Sequence, residues 1–395
     1  MKKIKKKGIV YVVVAMDTEG PIVNKKKPEI ISKWSDTKKL ILKITNKKFR
    51  SKFLDSKKGN LIFSWFILTL TGFKTNPYKR PMEYHKNFDF YLKNFKKNFN
   101  INNDGIYWHY HQPSKSGIGN EWSRDWFASN EYINILNKLI TERNFFPCCF
   151  RAGGRIEDND LSHWLEEFFP FDFSNCSGKI NWNRIESDGK KLIEVADWSK
   201  ASREWRGYNP SFQNYQNKGS MKRFIFRCID LKSPVYSLKE TDIIEAFELA
   251  DKGQNSVLSV FEHDRRFNLI ENLEEFLLKL NNISKKYKGI KFLYSNAQNA
   301  ALKTIGLNEK KAPKFKFMKA NNNRLMIKSD SDIFGSRPYV CLKKKNNITE
   351  LPVNKIGVNM WLTPKFKKKD KIEIFVVANN SSGHNKVQKY LYNSK

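Results

Sequence analysis

The stretch Val12-Val13-Val14-Ala15-Met16-Asp17-Thr18-Glu19-Gly20-Pro21 decides how this chain is read. An unbroken apolar run of this length suits a strand buried on both faces, as in a parallel sheet. The run passes directly into two carboxylates, and Gly20-Pro21 turns the chain away. In an extended segment, residues two apart point to the same side, so Asp17 and Glu19 project together. They do so from the C-terminal end of the strand, where α/β folds place their sites. Like charges so close call for a cation or a proton between them.

Further runs of the same kind lie at residues 61–70, 105–111, 257–262 and 290–294, each rich in β-branched or aromatic residues. Helical stretches alternate with them. Residues 130–143 place Ile133, Leu136, Leu139 and Ile140 on one face. Residues 241–252 begin with a cap-like Thr241, and residues 269–286 are rich in Leu and Glu. Strand–helix alternation over about 300 residues predicts an α/β domain with a largely parallel sheet, open or closed into a barrel. Residues 24–60 are lysine-rich and weakly periodic, and read as an insertion. After Leu307 the helical patterns stop. Short strands at 315–317, 325–328, 339–342, 358–363 and 372–378, separated by turn residues, predict a small antiparallel β module of sandwich type. The expected organisation is therefore a domain at 1–307 with an insertion at about 24–60, and an accessory β domain at 308–395.

Composition agrees with a packed enzyme. The chain has 395 residues, 40% of them hydrophobic and 14% aromatic, which excludes disordered, collagen-like and disulfide-scaffold classes. The formal charge of +33 invites nucleic acid or an anionic surface. Yet the lysines come in short runs from Lys2 to Lys395, accompanied by many Asn and Ile, so a general drift in residue usage accounts for them and nucleic acid is not the expected partner. Five cysteines without metal-type spacing read as reduced thiols of a cytoplasmic protein. Residues 1–16 mimic a signal peptide but run into Asp17-Thr18-Glu19 without a cleavage site. Residues 61–73 fall short of the ~20 needed for a membrane span.

Three more strand ends carry reactive groups. In Gly105-Ile106-Tyr107-Trp108-His109-Tyr110-His111 the two histidines share a face, and neutral imidazole is the commonest side-chain ligand for zinc-like metals. Cys149-Phe150-Arg151-Ala152-Gly153-Gly154 delivers an arginine, able to clamp a carboxylate, onto a glycine turn. Val257-Leu258-Ser259-Val260-Phe261-Glu262-His263-Asp264 ends in a histidine suited to proton transfer. Taken singly, each has a plain reading as a polar strand end. Four strands ending this way converge on a metal site with a spare acid or base.

These four motifs, in this order over about 250 residues, resemble the polysaccharide deacetylase family of the NodB-homology type. Met16-Asp17-Thr18-Glu19-Gly20-Pro21 stands where the family has a strand running into Asp-Asp-Gly-Pro. Asp104-Gly105-Ile106-Tyr107-Trp108-His109 with His111 stands for its histidine motif, Arg151-Ala152-Gly153-Gly154 for its arginine motif, and Val260-Phe261-Glu262-His263-Asp264 for its last motif. The resemblance implies an irregular (β/α) barrel and a hydrolase acting on carbon–nitrogen bonds, in which a divalent metal, expected to be zinc, polarises an acetamide and activates a water. It implies Asp17 as base, Glu19, His109 and His111 as metal ligands, Arg151 as the holder of Asp17, and His263 as the acid, oriented by Asp264. Trp108, Asp197, Trp198 and Asp264 are the expected substrate-binding residues, Asp197-Trp198 because it resembles the family's groove-lining Asp-Trp. Trp122, Trp126 and Trp205 also lie near the motifs, and flat rings suit sugar faces. The family's carboxylates are adjacent and its histidines four apart; here both pairs are two apart, so base and ligand are exchangeable between Asp17 and Glu19.

The expected function is removal of N- or O-acetyl groups from a polysaccharide or its sugar precursor, in surface polysaccharide biosynthesis. A glycoside hydrolase of a related barrel, which would use two carboxylates on the sugar linkage, is one alternative. A non-catalytic glycan-binding protein is another. Asp17-Thr18-Glu19 also resembles the opening of the Asp-x-Glu exonucleases, a reading that leaves His109, His111 and Arg151 without a part.

Overall fold

The computed structural model describes residues 6–23, 30–119, 122–123, 125–185, 191–233, 236–367 and 371–393. Residues 24–29 of the lysine-rich segment and the last two of the chain thus lie outside the described residues. The α/β part opens with β1 (Ile9–Thr18), α1 (Trp34–Thr45), α2 (Lys47–Arg50), β2 (Phe63–Thr69), α3 (Lys86–Ile101), β3 (Gly105–Tyr110), α4 (Glu131–Arg143), β4 (Cys149–Ala152), α5 (Asn159–Phe168) and β5 (Phe171–Asn175). A hairpin, β6 (Lys179–Ile185) with β7 (Lys191–Asp197), interrupts the alternation. It resumes with β8 (Phe224–Arg227), β9 (Ile229–Asp230), α6 (Glu240–Asp251), β10 (Ser256–His263), α7 (Leu269–Lys286), β11 (Lys291–Tyr294) and α8 (Ala297–Ile305).

The parallel sheet runs β8-β5-β4-β3-β2-β1-β10-β9 and is nearly a closed barrel. Closure depends on one short stretch: β8 pairs with β5, and β9, one residue later, pairs with β10. Strand β1 is fully flanked. Residues Val10 to Asp17 pair with β10 on one edge; on the other, Ile9 to Val12 pair with β11 and Val14 to Thr18 with β2. This explains the unbroken apolar run, since both faces are covered. Val13 and Ala15 turn into the barrel with Phe66, Tyr107, Phe173 and Phe261, while Ala297, Ala300 and Ala301 of α8 join the same cluster. Val12, Val14 and Met16 turn outward into the layer beneath the helices.

The predicted helices at 130–143 and 269–286 are present as α4 and α7. Helix α6 starts one residue before Thr241, with Lys239 at the cap, so Thr241 is inside the first turn and caps nothing. The lysine-rich segment holds α1, whose Leu40, Ile41 and Ile44 are buried; lysines on the other face conceal that stripe in the sequence. No described helix is long and apolar enough to cross a membrane. All five cysteines are buried and free.

The C-terminal β module comprises β12 (Phe315–Ala320), β13 (Arg324–Ser329), β14 (Tyr339–Lys344), β15 (Asn347–Glu350), β16 (Asn354–Gly357), β17 (Met360–Leu362), β18 (Lys371–Val377) and β19 (Gln388–Asn393). They form two antiparallel four-stranded sheets, β12-β13-β17-β16 and β15-β14-β18-β19. Leu325, Ile327, Val340, Trp361, Ile374 and Val376 share the core of the module. Tyr339, Cys341, Phe375 and Val377, of the opposite parity, join the helix layer of the barrel instead. There the Tyr339 hydroxyl donates to Asn137 of α4 at 3.0 Å and its ring meets Phe168 of α5 at 5.1 Å.

Candidate active site

Strand alternation brings the reactive side chains to one end of the barrel. On β1, Asp17 continues the inward series Val13, Ala15; on β3, His109 follows Tyr107; on β4, Arg151 follows Cys149; on β10, His263 follows Phe261. The ladder sets Asp17 opposite His263 and His109 opposite Arg151. Asp17, Glu19, His109, His111 and Arg151 are all at most 5% exposed.

Within this group the carboxylates separate. Asp17 belongs to Arg151, whose Nε lies 2.8 and 3.0 Å from its two oxygens. The Arg151 guanidinium also donates to the Phe173 carbonyl at 2.5 Å and stacks 3.7 Å from the centre of the Phe261 ring. Glu19 belongs to the histidines: one ligand atom each from Glu19, His109 and His111 lie within 4.8 Å of one another. The two Nε2 atoms are 3.2 Å apart, close to the ~3.3 Å that separates two nitrogens on a tetrahedral ion with bonds of about 2.0 Å. Histidines two apart at a strand end thus bring two nitrogens to the spacing that a shared ion would require.

The surroundings prepare these donors. His109 Nδ1 is 2.9 Å from the Arg151 carbonyl, so that nitrogen carries the proton and Nε2 presents its lone pair. Burial, aided by His109 and then by the charges of Arg80 and Arg265 and opposed by Glu19, pushes His111 well below its ordinary value. For Glu19, burial opposes the charge, but Arg265, Arg80 and His263 overturn that and hold the carboxyl well below the usual range. Arg80 Nη1 reaches Glu19 Oε2 at 2.6 Å, and Arg265 contacts the same oxygen. His263 Nε2 stands 3.5 Å from Oε1. Burial and the neighbouring Arg265 and Arg266 push His263 well below its ordinary value. Gly153 fits because nothing larger does: a Cβ there would lie 2.2 Å from His111 Cγ.

The four expected substrate contacts fare differently. Trp108 has the opposite parity to His109, points into the helix layer and is 1% exposed, its indole donating to Thr69 Oγ1 at 2.7 Å. Trp198 is fully buried against Tyr215, with its indole on the Arg155 carbonyl at 2.8 Å. Asp197, at the end of β7, bonds to Ser199 and lies outside the group. Asp264 is fully buried and spends its oxygens on the backbone N–H groups of Glu19 and Gly20, each at 2.9 Å, and on the Tyr91 hydroxyl at 2.7 Å. It fixes the turn that carries Glu19, and burial raises it to about 6. Of the tryptophans near the motifs, Trp122 is the one at the site, half-buried with its ring 4.2 Å from His111. Arg80, Arg265, Tyr91 and the particular place of Trp122 were not foreseen; the only sequence signal was that Arg265 directly follows the last motif.

No protein-family model matches the chain, and no curated protein matches it. Among solved structures it is similar to chitinase ChiA74 from Bacillus thuringiensis, at 11% identity over 92% of this chain and 63% of that one, with a TM-score of 0.21. The chain spans less than two thirds of that protein's length, and a likeness of this size says nothing about activity.

Proposed function

We propose that the protein is a metal-dependent deacetylase that hydrolyses acetyl groups on a polysaccharide or its sugar precursor. The observation that carries this reading is the division of the buried site into a donor set, Glu19 with His109 and His111, and a separate carboxylate, Asp17, clamped by Arg151. Glu19, His109 and His111 would hold a divalent ion, and two imidazoles with one carboxylate suit zinc. When bound, such an ion supplies Lewis-acid chemistry toward an acetamide carbonyl and water.

The remaining work falls to the chain's own residues. Asp17, fixed by Arg151, takes a proton from the attacking water. His263, opposite Asp17 in the ladder, passes to the leaving nitrogen the proton that Asp17 takes from water, so that the proton removed from water balances the one gained by the amine. Asp264 holds the turn bearing Glu19 and so acts as a positioning residue. The Trp122 ring beside His111 offers a flat face for a sugar.

The test is acetate release from N-acetylated and O-acetylated glycans by protein reconstituted with zinc. Release that depends on the metal and on Asp17 supports the reading. Reducing ends formed without acetate would transfer it to glycoside hydrolysis, and glycan binding that survives Asp17→Asn without any product would make the protein a binder.

A further inference from the structure

Among the described residues five arginines crowd the barrel mouth, and four of them are paired with carboxylates. Arg151 holds Asp17, Arg80 and Arg265 share Glu19, and Arg266 reaches Glu262 at 2.9 Å and Asp230 at 3.4 Å. Arg155 differs. It is 7% exposed, yet its side chain has neither an ion pair nor a hydrogen bond among the described residues. The ring of Phe261 lies beside it, its centre 5.5 Å from Cζ. That ring stands 5.6 Å from the ring of His263 and is already covered by Arg151. Its guanidinium faces no carboxylate, and a ring quadrupole is a weak counterweight to a full charge.

The chain goes to some length to put Arg155 there. It closes the turn Gly153–Arg155, in which Gly154 has φ +59° and Arg155 itself φ +60°, a left-handed conformation that a long side chain enters at a cost. The same turn begins with Gly153, pressed against His111, so the site and the arginine are built on one element. On the next strand end, just beyond β5, the buried Ser177 hydroxyl also lacks a hydrogen-bond partner among the described residues.

We propose that Arg155 is the anion-binding residue of the site and that the sugar it takes carries a negative charge, a carboxylate or a phosphate. An oxyanion between Arg155 and the reacting groups would receive the two-pronged hydrogen bonding that a guanidinium offers and that no described residue uses. The proposal rests on the carbohydrate reading above, but it concerns binding and not hydrolysis.

The experiment is therefore equilibrium binding by calorimetry, on metal-free and zinc-loaded full-length protein, with four probes: glucose, glucuronic acid, N-acetylglucosamine and N-acetylglucosamine 1-phosphate. The expected result is that one charged sugar binds ~10- to 100-fold more tightly than its neutral parent, the range a charge-assisted hydrogen bond gives. Whether the gain falls on the glucuronate or on the phosphate identifies the anion. Arg155→Gln should erase the gain and leave the neutral sugars unchanged, and Arg155→Lys should retain part of it. Thermal melting of both variants guards against misfolding. Equal affinity for charged and neutral sugars in the parent protein, or a gain that persists in Arg155→Gln, overturns the proposal. Absence of acetate release from any substrate would sink the deacetylase reading and leave this result standing.

Discussion

The carbonyl of Arg151 accepts the Nδ1–H of His109 at 2.9 Å while the guanidinium of the same residue clamps Asp17. One residue thus orients a candidate metal donor through its backbone and a carboxylate through its side chain. The two functions separate on mutation, because the backbone contact survives a change of side chain. Arg151→Lys should keep the metal and slow acetate release, since an ammonium cannot reproduce the fork on Asp17.

Asp17→Asn tests the division between the carboxylates directly. The variant should retain its metal and lose about 10²–10⁴-fold in turnover, as expected for a missing general base. Elemental analysis beside an acetate assay reads both quantities. A variant that loses its metal would place Asp17 among the ligands, where the adjacent carboxylates of the resembled family leave room for it.

The histidine pair makes a prediction independent of activity. The purified protein should carry about one zinc-like ion per chain, and His109→Ala/His111→Ala should carry none. Gly153→Ala is the subtler probe: its Cβ would lie 2.2 Å from His111 Cγ, so the ring must move. Metal affinity should fall by ~10- to 100-fold, the usual effect of disturbing a ligand's support. Unchanged affinity in Gly153→Ala would mean that His111 is free to shift and is not held for a metal.

For His263 the expected outcome is the reverse. His263→Ala should keep the metal and lower turnover by about 10²–10⁴-fold. Metal loss in this variant would assign His263 to the donor set, which its 3.5 Å approach to Glu19 makes a definite alternative.

The parts of this site that were legible in sequence are those governed by strand parity. Asp17, His109, Arg151 and His263 each continue an inward series, and parity needs only local sequence. The same rule excludes Trp108, which sits between two inward residues, so its expected role in substrate binding ran against information already in the motif. What parity cannot supply is the partner of a side chain. Arg80 comes from the loop after β2, where no periodicity marks it, and only folding brings it to Glu19. Strands β5 and β8 were missed for a related reason. Phe-Asp-Phe-Ser-Asn and Phe-Ile-Phe-Arg are too short to show a period, and both owe their conformation to neighbours already in the barrel.

A buried ion pair braces the opposite end of the barrel. Arg50, beyond α1, is paired through both Nη atoms with Asp104, at 2.8 and 2.6 Å, and both side chains are fully buried. Asp104 precedes β3, and its oxygens also accept the Phe63 N–H at 3.0 Å and the Trp65 indole at 2.8 Å, both on β2. Removing the arginine leaves a charge with no water to receive it. Arg50→Met should therefore destabilise the fold by about 3–5 kcal/mol, whereas the Arg50→Met/Asp104→Leu double variant should recover part of that loss by removing the orphaned charge. Denaturant titration of the three proteins measures both quantities. Metal content should be unaffected in whatever fraction remains folded, because the pair anchors the N-terminal ends of β2 and β3 while the candidate donors lie at the C-terminal ends of β1 and β3. A double variant no more stable than Arg50→Met would show that the pair matters for the hydrogen bonds Asp104 makes to β2, and not for the burial of its charge.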